Sequence, residues 1–133
     1  MLLLDTHVAL WAISDSKRLR EDVRELLEDE DNTVYFSMAS VWEVAIKRKI
    51  HPDQMPMDEE MFVSLCVETG FEMLDIRLPH IFAMKKLVRT EVAPRHNDPF
   101  DRLLLAQAKS ESFRFLTHNS LIEGYNEPCV MIV

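Results

Sequence analysis

Apolar positions along the chain fall into two kinds of stretch, short unbroken runs and longer segments with helical spacing. Leu2-Leu3-Leu4 is wholly apolar, as a parallel strand buried on both faces requires. Asp5 ends it, and Thr6 is placed to cap a helix carrying Val8, Leu10, Trp11 and Ile13 as far as Ser14. After the polar turn from Ser14 to Lys17, residues 19–30 set Leu19, Val23, Leu26 and Leu27 on one face with charges opposite, which predicts a surface helix. Thr33-Val34-Tyr35-Phe36 is β-branched and aromatic and predicts a second strand. Ser37 or Ser40 is then available to cap a helix over 41–49.

Pro52 and Pro56 interrupt the pattern, which resumes over 57–69 as an amphipathic helix with Met61, Phe62, Leu65 and Cys66 inward, ended by Gly70. Residues 71–75 predict a third strand, and Pro79 opens a helix to about Val88 carrying Ile81, Phe82, Met84 and Leu87. Residues 90–97 form the most polar loop. Asp98 and Pro99 start a helix to about Glu111, and 114–117 and 128–132 supply two last strands. Strands alternating with helices predict an α/β fold in which helices cover both faces of a mainly parallel sheet of about five short strands.

At 133 residues and 15.6 kDa the chain is expected to be one domain, residues 1–133, burying roughly two thirds of its unfolded surface without staples. Cys66 and Cys129 lie far apart with no ligand-spaced companion, so they read as buried thiols in a reducing compartment. No basic region precedes Met1-Leu2-Leu3-Leu4, and no apolar run approaches the roughly eighteen residues of a membrane span. The expectation is a cytoplasmic protein that does not contact membrane.

The net charge of −8 argues against a protein that coats nucleic acid, because counterion release needs a basic footprint. Nucleic acid as a substrate is not excluded, since Lys17-Arg18-Arg20, Lys47-Arg48-Lys49, Lys85-Lys86-Arg89 and Arg95-His96 can form a positive rim, although such clusters also serve as solvated faces. Gly70 and Gly124 are the only glycines, so no glycine-rich phosphate loop exists. A G-x-S-x-G elbow and a well-placed Cys-His pair are also absent, and His7 stands where an aspartyl phosphotransferase would need a second aspartate.

What remains is metal-assisted chemistry on acids. Asp5 follows a triple-leucine strand, where an unpartnered carboxylate is costly, although it would also serve as a bare N-cap. Glu43 lies three residues after Ser40, the spacing of a capping box, and four before Lys47, the spacing of a helical ion pair. Asp98 and Asp101 are three apart near a helix N-terminus, where the dipole favours them. Such acids at the carboxyl ends of parallel strands can converge on a divalent ion.

Three segments carry a resemblance: 3–11 with Asp5-Thr6-His7, 37–47 with Ser40-Val41-Trp42-Glu43, and 98–108 with Asp98-Pro99-Phe100-Asp101-Arg102. In this order the chain resembles the PIN-domain ribonucleases of type II toxin–antitoxin systems, the VapC-like toxins, over nearly its whole length. The fold this implies is the PIN-like three-layer α/β/α sandwich. By resemblance Asp5, Glu43 and Asp101 match the principal acids and Asp98 the extra aspartate of the D-P-F-D-R form, all of them candidate ligands of Mg²⁺ or Mn²⁺ in hydrolysis of RNA phosphodiester bonds. The family's usual fourth acid sits in a Thr-x-Asp step, which here is Thr117-His118-Asn119, so a second ion should bind weakly unless Asp98 or Glu123 compensates. Thr6, Thr117 and Asn119 are supporting polar groups, and Lys47 and Arg102 are candidate phosphate contacts that could equally be helical ion pairs.

The resemblance further implies an RNA substrate that is single-stranded or looped, a cognate antitoxin whose tail covers the acids, and a homodimer. Trp11 or Trp42 could serve such contacts, though core positions suit both. Because Asn119 replaces an acid, the alternative is a PIN-like module that binds RNA or a partner with weak or no catalysis. A structural calcium site is disfavoured, because the acids are far apart and no D-x-[DN]-x-[DN]-G loop exists.

Overall fold

Every residue of the first strand, β1 (Leu2–Leu4), is buried, because it runs down the middle of the sheet. The computed structural model describes residues 1–133, and its elements follow as α1 (Thr6–Ile13), α2 (Glu21–Glu28), β2 (Val34–Ser37), α3 (Met38–Ile50), α4 (Glu59–Glu68), β3 (Glu72–Leu74), α5 (Leu78–Met84), α6 (Pro99–Glu111), β4 (Arg114–Thr117), a 3-10 turn (Ser120–Tyr125) and β5 (Val130–Ile132). The sheet order is β3-β2-β1-β4-β5 and each of its four pairings is parallel, so the expected mainly parallel sheet is wholly so.

Successive strand residues point to opposite faces. Leu2 and Leu4 therefore join Val8, Val44, Phe36, Phe62 and Cys66 in one core, while Leu3 joins Leu104, Leu105, Ala108 and Phe115 in another. Helices α1, α3 and α4 supply the first layer; α6 supplies the second, with α5 packed against it. The result is a three-layer α/β/α sandwich. Burial pushes the Cys66 thiol up to about 12, as an inert core thiol requires. No helix is long and apolar enough to cross a membrane.

Several local expectations are corrected. Asp5, not Thr6, caps α1: its Oδ1 accepts from the Val8 amide at 2.8 Å. Ser37 caps α3, accepting from the Ala39 amide at 2.9 Å, so Ser40 lies inside the helix and forms no capping box with Glu43. Helix α2 begins at Glu21 because Leu19 is buried in the preceding turn and Arg20 sits extended at the N-cap. Asp58 caps α4, and of its apolar residues Phe62 and Cys66 are fully buried whereas Met61 is 52% exposed. Helix α5 stops at Met84, short of Val88, and leaves Ile81 and Phe82 exposed. Trp42 is not core either, being 55% exposed with its ring edge-on to Phe100.

Candidate active site

Chain order reverses at β1, which pairs with β2 on one side and β4 on the other. In an open parallel sheet, a crevice forms beyond the strand ends at such a reversal. Asp5 extends β1 into this crevice, its amide donating to Leu116 O at 2.9 Å, and the step Thr117-His118-Asn119 extends β4 beside it. A cavity of about 360 Å³ opens there, lined by Asp5, Glu43, Asp98 and Asp101 together with Thr6, Lys47 and Asn119.

Each carboxylate is held by a different device. Asp5 is buried; Oδ1 caps α1, while Oδ2 accepts from the Thr117 hydroxyl and from the His118 amide at 3.3 Å. Thr117 is itself fully buried, so it supports Asp5 from beneath. Glu43 is 3% exposed and reaches the site from the middle of α3. It accepts from the Thr6 hydroxyl at 2.6 Å and from Lys47 Nζ at 2.5 Å, while the Ser40 hydroxyl stands 2.9 Å from that of Thr6. Asp98 is the N-cap of α6, accepting from the amides of Phe100 and Asp101 at 2.9 and 3.2 Å. Asp101, in the first turn, receives His96 Nε2 at 3.2 Å and Asn119 Nδ2 at 3.1 Å.

Arg102 does not line this cavity; its Nη2 donates to the Met84 carbonyl. Glu123 lines a different cavity with Asn126 and Glu127, because the 3-10 turn carries it away, and it offers no substitute for an acid at 119. Lys47 lines the acidic cavity but is paired with Glu43. Arg18, from one of the clusters expected to form a positive rim, does line the cavity, whereas His7, Trp11 and His118 were not expected as lining, nor His96 as the buried support of Asp101. For His7 and His118 a signal existed, since each sits within two residues of an acid or its Asn119 counterpart; His96 depends on a loop closure invisible in spacing.

Burial raises the Asp5 pKa above the usual carboxylate value, with Asp101 adding to the rise, against the hydrogen bonds from Thr117 and Val8 and the charge of His7. Burial also raises Asp101, seconded by repulsion from Asp98 and Glu43, against His96 and Asn119. For Lys47, burial works toward a lower value, but the hydrogen bond and charge of Glu43 and the fields of Asp98 and Asp101 prevail and raise it. Negative charge is thus held close in low dielectric, with Lys47 and Arg18 the cations that line the same cavity.

A family model described as PIN domain matches residues 2–126. The chain belongs to the PIN domain family. No curated protein matches the sequence significantly. Among solved structures, VapBC2 from Rickettsia felis, bound to a DNA fragment from its promoter, is similar at TM-score 0.67 and 20% identity, over 99% of this chain and 96% of that one. FitAcB from Neisseria gonorrhoeae gives TM-score 0.64 and 18% identity over 98% and 96%. VapC20 from Mycobacterium tuberculosis, described as a sarcin-ricin loop cleaving toxin, gives 0.53 and 13% over 89% and 88%. At these identities the likeness is one of fold.

For a PIN domain with this cavity the donor set fits a hard divalent cation, because every acidic group offers oxygen. The raised Asp5 and Asp101 carboxyls are those a cation would relieve. With each carboxylate turned to a protein donor, no three acidic, histidine or cysteine side chains stand in ligating array. Glu43 and Asp101 each have one half-exposed partner, Lys47 and Asn119, that an ion would displace, and one buried partner, Thr6 and His96, that would go on orienting the carboxylate.

Proposed function

We propose that this PIN domain is a metal-dependent endoribonuclease acting as the VapC-like toxin of a toxin–antitoxin pair. The observation that carries the reading is the single cavity into which Asp5, Glu43, Asp98 and Asp101 arrive from the end of β1, from α3, and from the N-cap and first turn of α6. The same four acids are the ligands we assign to Mg²⁺ or Mn²⁺. When bound, the ion supplies a nucleophilic water at neutral pH and charge for the phosphate. Thr117 and Thr6 orient Asp5 and Glu43 through hydrogen bonds, and Asn119 and His96 orient Asp101. Lys47, which lines the cavity beside Glu43, would be a cation placed to meet a substrate phosphate.

RNA as substrate, an antitoxin that masks the acids, a homodimer and a cytoplasmic setting belong to the same proposal. It is supported by the PIN family match and by a fold shared with VapBC complexes. In the test, purified protein is incubated with single-stranded RNA and Mn²⁺. Cleavage is expected for the wild type and not for Asp5→Ala or Asp101→Asn; absence of cleavage with retained RNA binding would favour the catalytically silent module instead.

A further inference from the structure

Across His96 from the acidic cavity lies a second one of about 470 Å³, whose polar lining is Arg89, Arg95, His96, Asn97, Arg102 and Tyr125, with aliphatic residues beside them and no acid. In a chain with net charge −8, its three arginines form no ion pair. Neutral groups fix two of them. Arg89 donates to the carbonyls of Pro94 at 2.8 Å and Leu121 at 2.7 Å, and its guanidinium lies 4.8 Å from the Tyr125 ring centroid. Arg102 donates to the Met84 carbonyl at 3.2 Å. Carbonyls orient a guanidinium without cancelling its charge, and Arg89 Nη2 and Arg102 Nε are left buried with no partner. Gly124 leaves room for the Arg89 guanidinium, since a Cβ there would meet Nη2 at 2.5 Å and displace it.

The two cavities are joined. His96 receives or donates at Tyr125 Oη, 2.7 Å from Nδ1, and its Nε2 holds Asp101, so Tyr125, His96 and Asp101 form one hydrogen-bonded chain from the basic cavity to the acidic one. Arg102 directly follows Asp101 on α6. A polyanion whose reacting phosphate sits at the acids would thus meet uncompensated arginines in the adjoining cavity.

We propose that this cavity is an anion subsite that holds an RNA phosphodiester adjacent to the one cleaved. The proposal rests on the nuclease reading for its substrate. Arginine suits the role because its planar fork matches phosphate oxygens. An acidic segment of a protein partner is the competing occupant.

The test measures binding of a fluorescein-labelled single-stranded oligouridylate in EDTA across a salt series, and cleavage of the same RNA with Mn²⁺. Variants are Arg95→Gln, Arg89→Gln and Gly124→Ala, with Arg114→Gln, at the end of β4 opposite the site, as a control. Arg95 is exposed and makes no hydrogen bond, so its variant keeps the test meaningful if Arg89→Gln fails to fold. Expected are roughly tenfold rises in Kd and KM for each subsite variant, with kcat little changed, and a salt slope shallower by about 0.7 for each arginine neutralised. Unchanged Kd and slope in Arg95→Gln while the wild type cleaves would overturn the subsite and leave the nuclease reading standing. A wild type that binds RNA through these arginines without cleaving it would do the reverse. Loss of binding to an acidic antitoxin peptide, with RNA affinity intact, would also overturn the proposal.

Discussion

Replacing Thr6 by Val tests the support under Glu43 without changing side-chain shape. Thr6 and Glu43 are each 3% exposed, and the Thr6 hydroxyl is one of two donors to a carboxylate that solvent barely reaches. A hydrogen bond to a buried charged group contributes about 1.5–3 kcal/mol, and the Ser40 hydroxyl also loses its neighbour. For a chain of this size each kcal/mol moves Tm by about 4 °C, so a fall of about 6–12 °C is expected by circular dichroism. Thr6→Ser keeps the hydroxyl and removes one methyl, costing about 1 kcal/mol and about 4 °C. Adding Glu43→Gln should make the two changes strongly non-additive, since both act on one hydrogen bond. A Thr6→Val protein within about 0.5 kcal/mol of wild type, or one no weaker than Thr6→Ser, would show that the hydroxyl does not hold Glu43.

Asp98 can be split into its two roles: Asn caps as well as Asp, so Asp98→Asn should keep the melting temperature and lower cleavage, whereas Asp98→Ala should also lose about 1 kcal/mol of stability. Asn119→Asp places a carboxylate beside Asp101, and tighter Mn²⁺ binding by calorimetry with faster cleavage is expected; unchanged affinity would remove position 119 from the site. Because Asp5 and Asp101 titrate above 3.8 when folded, their contribution to stability is full below that pH and is lost as pH rises through the raised values. Metal-free wild type should therefore lose stability relative to Asp101→Asn as pH climbs from about 4 toward neutrality, and saturating Mg²⁺ should offset the loss; parallel stability curves would refute this.

The expected strands at 2–4 and 114–117 coincide with observed ones, although only 2–4 is a wholly apolar run; runs such as 8–13 and 103–106 are helical, so length and flanking residues separated the two. Helix ends were less so, since Asp5, Ser37 and Asp58 are all caps that compete with a plausible neighbour, and which one wins depends on where the preceding strand or turn releases the chain. The acids 5, 43, 98 and 101 were found by motif and lie in one cavity, while Glu123 and Arg102 were carried elsewhere by a 3-10 turn and by the direction of α6. His96 was unreadable as a partner of Asp101 because the loop over 90–97 has no periodicity, and only its folding back against Tyr125 brings the ring to the site.

The most direct measurement counts bound Mn²⁺ by electron paramagnetic resonance while RNA cleavage is followed in the same sample, for the wild type, Asp5→Asn and Asp101→Asn. Ion binding and cleavage should rise together in the wild type, stop in EDTA, and fall together in both variants. Cleavage that persists in EDTA, or at an equal rate in Asp101→Asn, would contradict a metal centre built from these four acids.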